Sequence, residues 1–156
     1  YPFTVNITDY LVQGYRAFSM VPNVEFDSLW GVGHSSFLMN NFSGLFDENL
    51  FLKTYQAKLE IYGIHPYVNW HTAYIWFAND VHWFGVIFVM FLLGVFFAKC
   101  WIQCFIFRNP SYLPLLGFMF ITVFYFPSNA QVFIQPNTFI AFWVLFIVAL
   151  FRKNRM

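Results

Sequence analysis

Apolar and polar positions divide this chain into two regimes. From Trp83 to Phe107 the side chains are uncharged and mostly apolar, broken only by Lys99 and Gln103. At about 1.5 Å per residue, a helix over that run is long enough for the ~30 Å hydrocarbon core of a bilayer. Arg108-Asn109-Pro110-Ser111 then predicts a tight turn, because Pro110 disfavours helix at the residue before it. Two shorter apolar runs follow, Tyr112–Phe126 and Thr138–Phe151, separated by Pro127-Ser128-Asn129-Ala130-Gln131 and by Pro136-Asn137. At 15 and 14 residues they fall below the ~17–25 of an ordinary span. They read either as two thin spans joined by a partly buried loop or as a re-entrant hairpin, and the basic tail Arg152-Lys153-Asn154-Arg155 favours full crossing.

Residues 1–80 mix polar positions with Tyr, Phe and Leu, which predicts folded rather than disordered chain. Asp47 is placed to cap a helix running to about Tyr62, with Leu50, Phe51, Tyr55, Leu59 and Tyr62 on one stripe and Gly63 as its stop. Asn69–Asp80 predicts a second short helix leading into the membrane. The expected fold is therefore all-α and polytopic, with an external region over 1–80 and a membrane region over 81–156.

Composition supports lipid as part of the solvent. Hydrophobic residues make up 60% and charged residues 10%, against about 45–50% and about 25% in soluble domains. A net charge of +1 gives no basic field for nucleic acid. Every acidic residue lies at or before Asp80, whereas Lys99, Arg108, Arg152, Lys153 and Arg155 flank the apolar runs. Basic residues favour the cytoplasmic side, so the C-terminus is expected there and residues 1–80 outside, which in a bacterium means the periplasm. Cys100 and Cys104 have no zinc spacing and read as packing residues. A chain opening Tyr1-Pro2 without a charged leader reads as lacking a signal peptide and as the later part of a longer protein.

Four short elements carry candidate chemistry. Gln13-Gly14-Tyr15-Arg16 is followed by Leu29-Trp30-Gly31-Val32-Gly33-His34-Ser35-Ser36, whose glycines permit an unusual turn and whose Ser35 can cap a helix toward Phe46. Free N–H groups there, with His34 and Arg16 nearby, would suit an anionic group such as a diphosphate. From spacing alone, a loop that merely turns at its glycines is the stronger reading. Glu25 and Asp27 share a face of an extended segment; one could act as a base, and a solvated loop is again the simpler account. Asn69-Trp70-His71-Thr72 and Asp80-Val81-His82-Trp83-Phe84-Gly85 put an acid and histidines at the mouth of the first span. Trp70, Trp76 and Trp83 also suit an interfacial aromatic belt. No His, Cys and carboxylate set has metal-ligand spacing, and no P-loop or dinucleotide fingerprint is present.

Taken in order, Tyr10-Leu11-Val12-Gln13-Gly14-Tyr15, Gly31-Val32-Gly33-His34-Ser35, Asn69-Trp70-His71-Thr72, Asp80 with Phe84-Gly85, Leu93-Gly94, and Phe126-Pro127-Ser128-Asn129-Ala130-Gln131-Val132-Phe133 form a set. That set resembles the C-terminal part of bacterial oligosaccharide repeat-unit polymerases, the Wzy-type enzymes of O-antigen and capsule synthesis. The resemblance implies a GT-C-like helical membrane glycosyltransferase, independent of metal and cofactor, that transfers a growing glycan from undecaprenyl diphosphate to an incoming lipid-linked repeat unit. It implies His34, Asp80 and His82 as the catalytic group, and Arg16, Tyr15, Gly33, Ser35 and His71 as substrate-binding residues. Its implied partners are the lipid-linked oligosaccharide, membrane lipid and a chain-length regulator. An O-antigen ligase and a non-catalytic subunit of a larger membrane assembly are the alternatives.

Overall fold

The computed structural model describes residues 2–46 and 49–151, and it is helical with no strand among them. Asp47 and the basic tail Arg152, Lys153 and Arg155, on which the cap and orientation arguments partly rest, lie outside the described residues.

Helix α1 (Pro2–Met20) leads through a short turn at Val21–Asn23 into an extended segment. Helix α2 (Ser36–Phe46) starts at Ser35, whose Oγ accepts the Leu38 N–H at 3.3 Å. The single helix expected up to Tyr62 is instead three short pieces: Leu50–Lys53, α3 (Tyr55–Lys58) and Leu59–Tyr62. Thr54 causes the break. Its backbone is extended (ψ 153°), its hydroxyl caps α3 by accepting the Ala57 N–H, and it donates to the Phe51 carbonyl. Gly63 does stop the segment, at φ 75°. Leu50, Tyr55 and Leu59 of the expected stripe are buried, while Tyr62 is exposed.

Helix α4 (Ala73–Phe105) joins the two halves of the chain. It is interrupted at His82, whose φ of 63° and ψ of 158° leave helical space. For a residue other than glycine that conformation costs on the order of 1–3 kcal/mol. The interruption is stabilised from both sides. The His82 Nδ1 accepts the Phe84 N–H at 3.4 Å and so caps the second segment, and the carbonyls of Asn79 and Asp80 accept the Leu29 N–H and the Ser28 hydroxyl. Gly85 is required at this point, since a Cβ there would lie 2.9 Å from the Cβ of Val81.

Helices α5 (Leu113–Tyr125), α6 (Gln131–Ile134) and α7 (Pro136–Phe151) complete the order. Leu115, Leu116, Met119 and Thr122 bury one stripe of α5, while Phe120, Val123 and Phe124 are exposed on the other. Phe96 of α4 packs edge-on against Phe146 of α7 at 4.9 Å, and Tyr112 donates to the Ala149 carbonyl at 2.9 Å. Among the described residues one helix, α4, is long and apolar enough to cross a membrane, and only 6% of its most apolar window is buried. A helix in the core of a soluble protein would show the reverse. The α5 and α7 helices are apolar but shorter.

Gly14 sits inside α1 rather than in a turn. Its hydrogen faces the Pro127 carbonyl and Thr72, where a Cβ would come within 2.7 and 2.9 Å. Gly14→Ala is therefore expected to lower stability by about 1–3 kcal/mol despite alanine's higher helix propensity. Gly117→Ala, with open space around it, is expected not to. Thermal unfolding of the two variants in detergent checks the pair.

Candidate functional site

Asp80 and Asn79 hold the glycine loop on α4. The Asp80 Oδ1 accepts the N–H groups of Gly31 and Gly33 at 2.9 and 2.7 Å. Its Oδ2 accepts the His34 N–H at 2.9 Å and lies 2.9 Å from the His34 Nδ1. Asn79 grips the same loop from the neighbouring position, donating to the Gly33 carbonyl at 3.1 Å and to the Gln56 Oε1 at 2.9 Å while accepting the Tyr55 N–H at 2.9 Å. The loop can follow this path because Gly31 takes φ 88°, and because Gly33 has no Cβ, which would meet the Asn79 Cβ at 2.6 Å.

A carboxylate that accepts three backbone N–H groups acts as an acceptor toward the imidazole as well. Nδ1 of His34 therefore carries the proton, and Nε2 keeps its lone pair in the neutral ring. The imidazole lies parallel to Phe77 (6.0 Å, 11°), edge-on to Phe133 (5.7 Å, 74°) and near Phe139 (6.2 Å). The side chains of His34 and Asp80 are 15% and 8% exposed. Ser35, next in the chain, donates from Oγ to the Phe133 carbonyl, and Ser36 does the same to Ile134 at 3.3 Å. The arrangement is a histidine with fixed tautomer and orientation, able to accept a proton from a hydroxyl brought to its Nε2 edge.

Of the residues expected at the site, His34, Asp80, Gly33 and Ser35 come together through these contacts. The acid of Asp80-Val81-His82 serves His34, and His82 instead caps the helix break with its ring edge-on to Phe26 at 5.1 Å. Arg16 is exposed on α1 and Tyr15 lies against Tyr74 at 6.3 Å; no described contact joins either to the imidazole. His71 is 4% exposed, its Nε2 has no described partner, and burial holds it down at about 4, against a smaller opposing effect of a backbone hydrogen bond at Asn69. Asp27 pairs with Lys58 at 2.7 Å, and Lys58 also donates to the Glu25 carbonyl, so this pair ties the extended segment to α3. Burial, then the charge of Asp27, pushes the Tyr55 hydroxyl up to about 12. Sequence reasoning passed over Asn79 and Phe77. The only available signal was their spacing from Asp80 on one helix.

Among the described residues no group of three or more His, Cys, Asp or Glu could hold a metal ion. Fold and site together define an all-helical protein in which an aspartate-anchored histidine stands at the head of a helix able to cross a membrane. Set beside protein-family models, curated proteins and solved structures, the chain matches none of them.

Two outcomes follow. Asp80→Asn would turn an amide NH₂ toward loop N–H donors, and is expected to lower unfolding stability by about 2–3 kcal/mol. His71 binds its proton more weakly folded than unfolded, so its contribution is complete above pH 6.5 and is lost as pH falls toward 4. The loss should reach about 3 kcal/mol. Melting curves in detergent between pH 7.5 and 4.5 should show this acid sensitivity in the parent and less of it in His71→Phe.

Proposed function

We propose that this chain is part of a membrane glycosyltransferase that polymerises lipid-linked oligosaccharide repeat units at the periplasmic face of the bacterial inner membrane. Residues 1–80 are external in this reading, α4 beyond Asp80 is membrane-embedded together with α5 and α7, and the C-terminus is cytoplasmic. His34, oriented by Asp80, accepts the proton of the acceptor hydroxyl as it attacks the anomeric carbon. The lipid diphosphate leaves with the bonding electrons, and Arg16 is the candidate cation for its oxygens. His82 serves the rim of the site by shaping the helix break.

The observation that carries the reading is the Asp80–His34 pair at the head of the apolar run of α4, where the head group of a lipid-borne substrate would lie. It is supported by the meeting of sequence elements far apart in the chain. Gly14 faces Thr72 and Pro127, the Ala73 N–H donates to the Phe126 carbonyl at 3.0 Å, Gly31 and Gly33 bind Asp80, and Ser35 binds Phe133. A non-catalytic subunit has one observation in its favour: the four donors on Asp80 are also what a purely structural clamp would require.

The two readings separate in cells that lack the gene and carry the complete open reading frame with His34→Gln or His65→Ala. Removing a general base lowers the rate about 10²–10⁴-fold. His34→Gln should therefore abolish the long-chain polysaccharide ladder while single repeat units are still transferred to lipid, and His65→Ala, at an exposed position, should leave the ladder intact. An unchanged ladder with His34→Gln, at normal protein levels, rules out the base.

A further inference from the structure

The loop that presents His34 also presents Trp30. That indole is 90% exposed, the highest value for a large apolar side chain among the described residues. Its φ of 53° lies in the left-handed region, which bulky residues rarely enter. Two hydrogen bonds fix it there: the Trp30 N–H donates to the Ser28 Oγ at 3.3 Å, and the N–H of Gly31 donates to the Asp80 Oδ1 at 2.9 Å. An indole that buries almost nothing gains no packing within the chain to offset that backbone strain.

The Gly31–Asp80 bond also sets the level of the indole along α4. Asp80 precedes Trp83, where the uninterrupted apolar run starts, by three residues, across the helix break at His82. Just past that level α4 exposes Phe84, Ile87 and Phe88 at 62%, 72% and 64%. Beside the indole, Leu29, Val32, Phe42 and Leu50 line a recess of about 300 Å³ with Ser28 and Lys53. The loop that carries Trp30 is bound to α4 just before the apolar run begins, and an indole, apolar in its body and with one N–H donor, is suited to the headgroup level.

We infer that Trp30 is a lipid-interface anchor: the 28–33 loop holds the indole in the headgroup region of the bilayer that α4 crosses. Through Asp80 the same anchor fixes the depth of His34 relative to lipid. The inference rests on α4 crossing a bilayer and is independent of the glycosyl-transfer chemistry.

The test uses the whole chain, labelled with fluorotryptophan and reconstituted in phosphatidylcholine vesicles. Trp30→Phe and Trp101→Phe assign the two fluorine resonances. The Trp30 signal should be broadened several-fold more by a nitroxide near the glycerol end of a phospholipid acyl chain than by a gadolinium chelate in the water. Trp101, inside the apolar run of α4, is the control. Broadening of Trp101 but not Trp30 by the lipid nitroxide overturns the anchor and leaves the membrane span standing, whether Trp30 then responds to the chelate or, covered by protein, to neither agent. If the lipid nitroxide reaches neither tryptophan, the membrane reading falls together with the anchor.

Discussion

The carboxylate of Asp80 is the constraint on which the rest of this structure depends. It accepts N–H groups from Gly31, Gly33 and His34 and the Nδ1–H of His34. Charge-assisted bonds of this kind are about twice as strong as neutral ones, and at a nearly buried carboxylate the alternative is an uncompensated charge. One side chain thereby joins the glycine loop to α4, fixes the imidazole and its tautomer, and holds the backbone next to Trp30. Asn79 completes the clamp by taking the Gly33 carbonyl that Asp80 cannot bind.

The helix break two residues away, at His82, belongs to the same device. An uninterrupted α4 would engage the carbonyls of Asn79 and Asp80 within the helix. With His82 out of helical geometry, both are free to accept donors from Leu29 and Ser28. Strain at His82 is thus coupled to docking of the loop, and the break separates a segment that packs on protein from one whose exposed side chains are almost all apolar. In the proposed function that boundary is where a sugar hydroxyl and a lipid-borne diphosphate would meet.

Much of the helical layout was legible in the sequence. The apolar runs expected at 83–107, 112–126 and 138–151 all lie in helices, with Pro110 and Pro127 following the ends at Phe105 and Tyr125 and Pro136 opening α7. The Ser35 cap and the Gly63 stop were readable for the same local reasons. The stripe from Leu50 to Tyr62 misled, because Thr54 breaks the segment by a backbone and capping choice that periodicity does not record. The partner of Asp80 was also hidden. His82 is two residues away and His34 forty-six, and only the folded loop shows that the distant one is bound. Gly14 shows the same limit, since its close approach to the Pro127 carbonyl and Thr72 is made across the fold and leaves no local pattern.

The most direct measurement of the central claim is the tautomeric state of the histidines, read from long-range proton–nitrogen correlation spectra of the histidine-labelled protein in detergent at neutral pH. Asp80 requires the proton of neutral His34 on Nδ1, whereas His65 and His82 each use Nδ1 to accept a backbone N–H and so carry theirs on Nε2. The account predicts His34 with the Nδ1–H pattern, opposite to His65 and His82, and loss of that pattern in Asp80→Asn. A neutral His34 protonated on Nε2 would contradict it, since the nitrogen offered to a substrate hydroxyl would then have no lone pair to accept the proton.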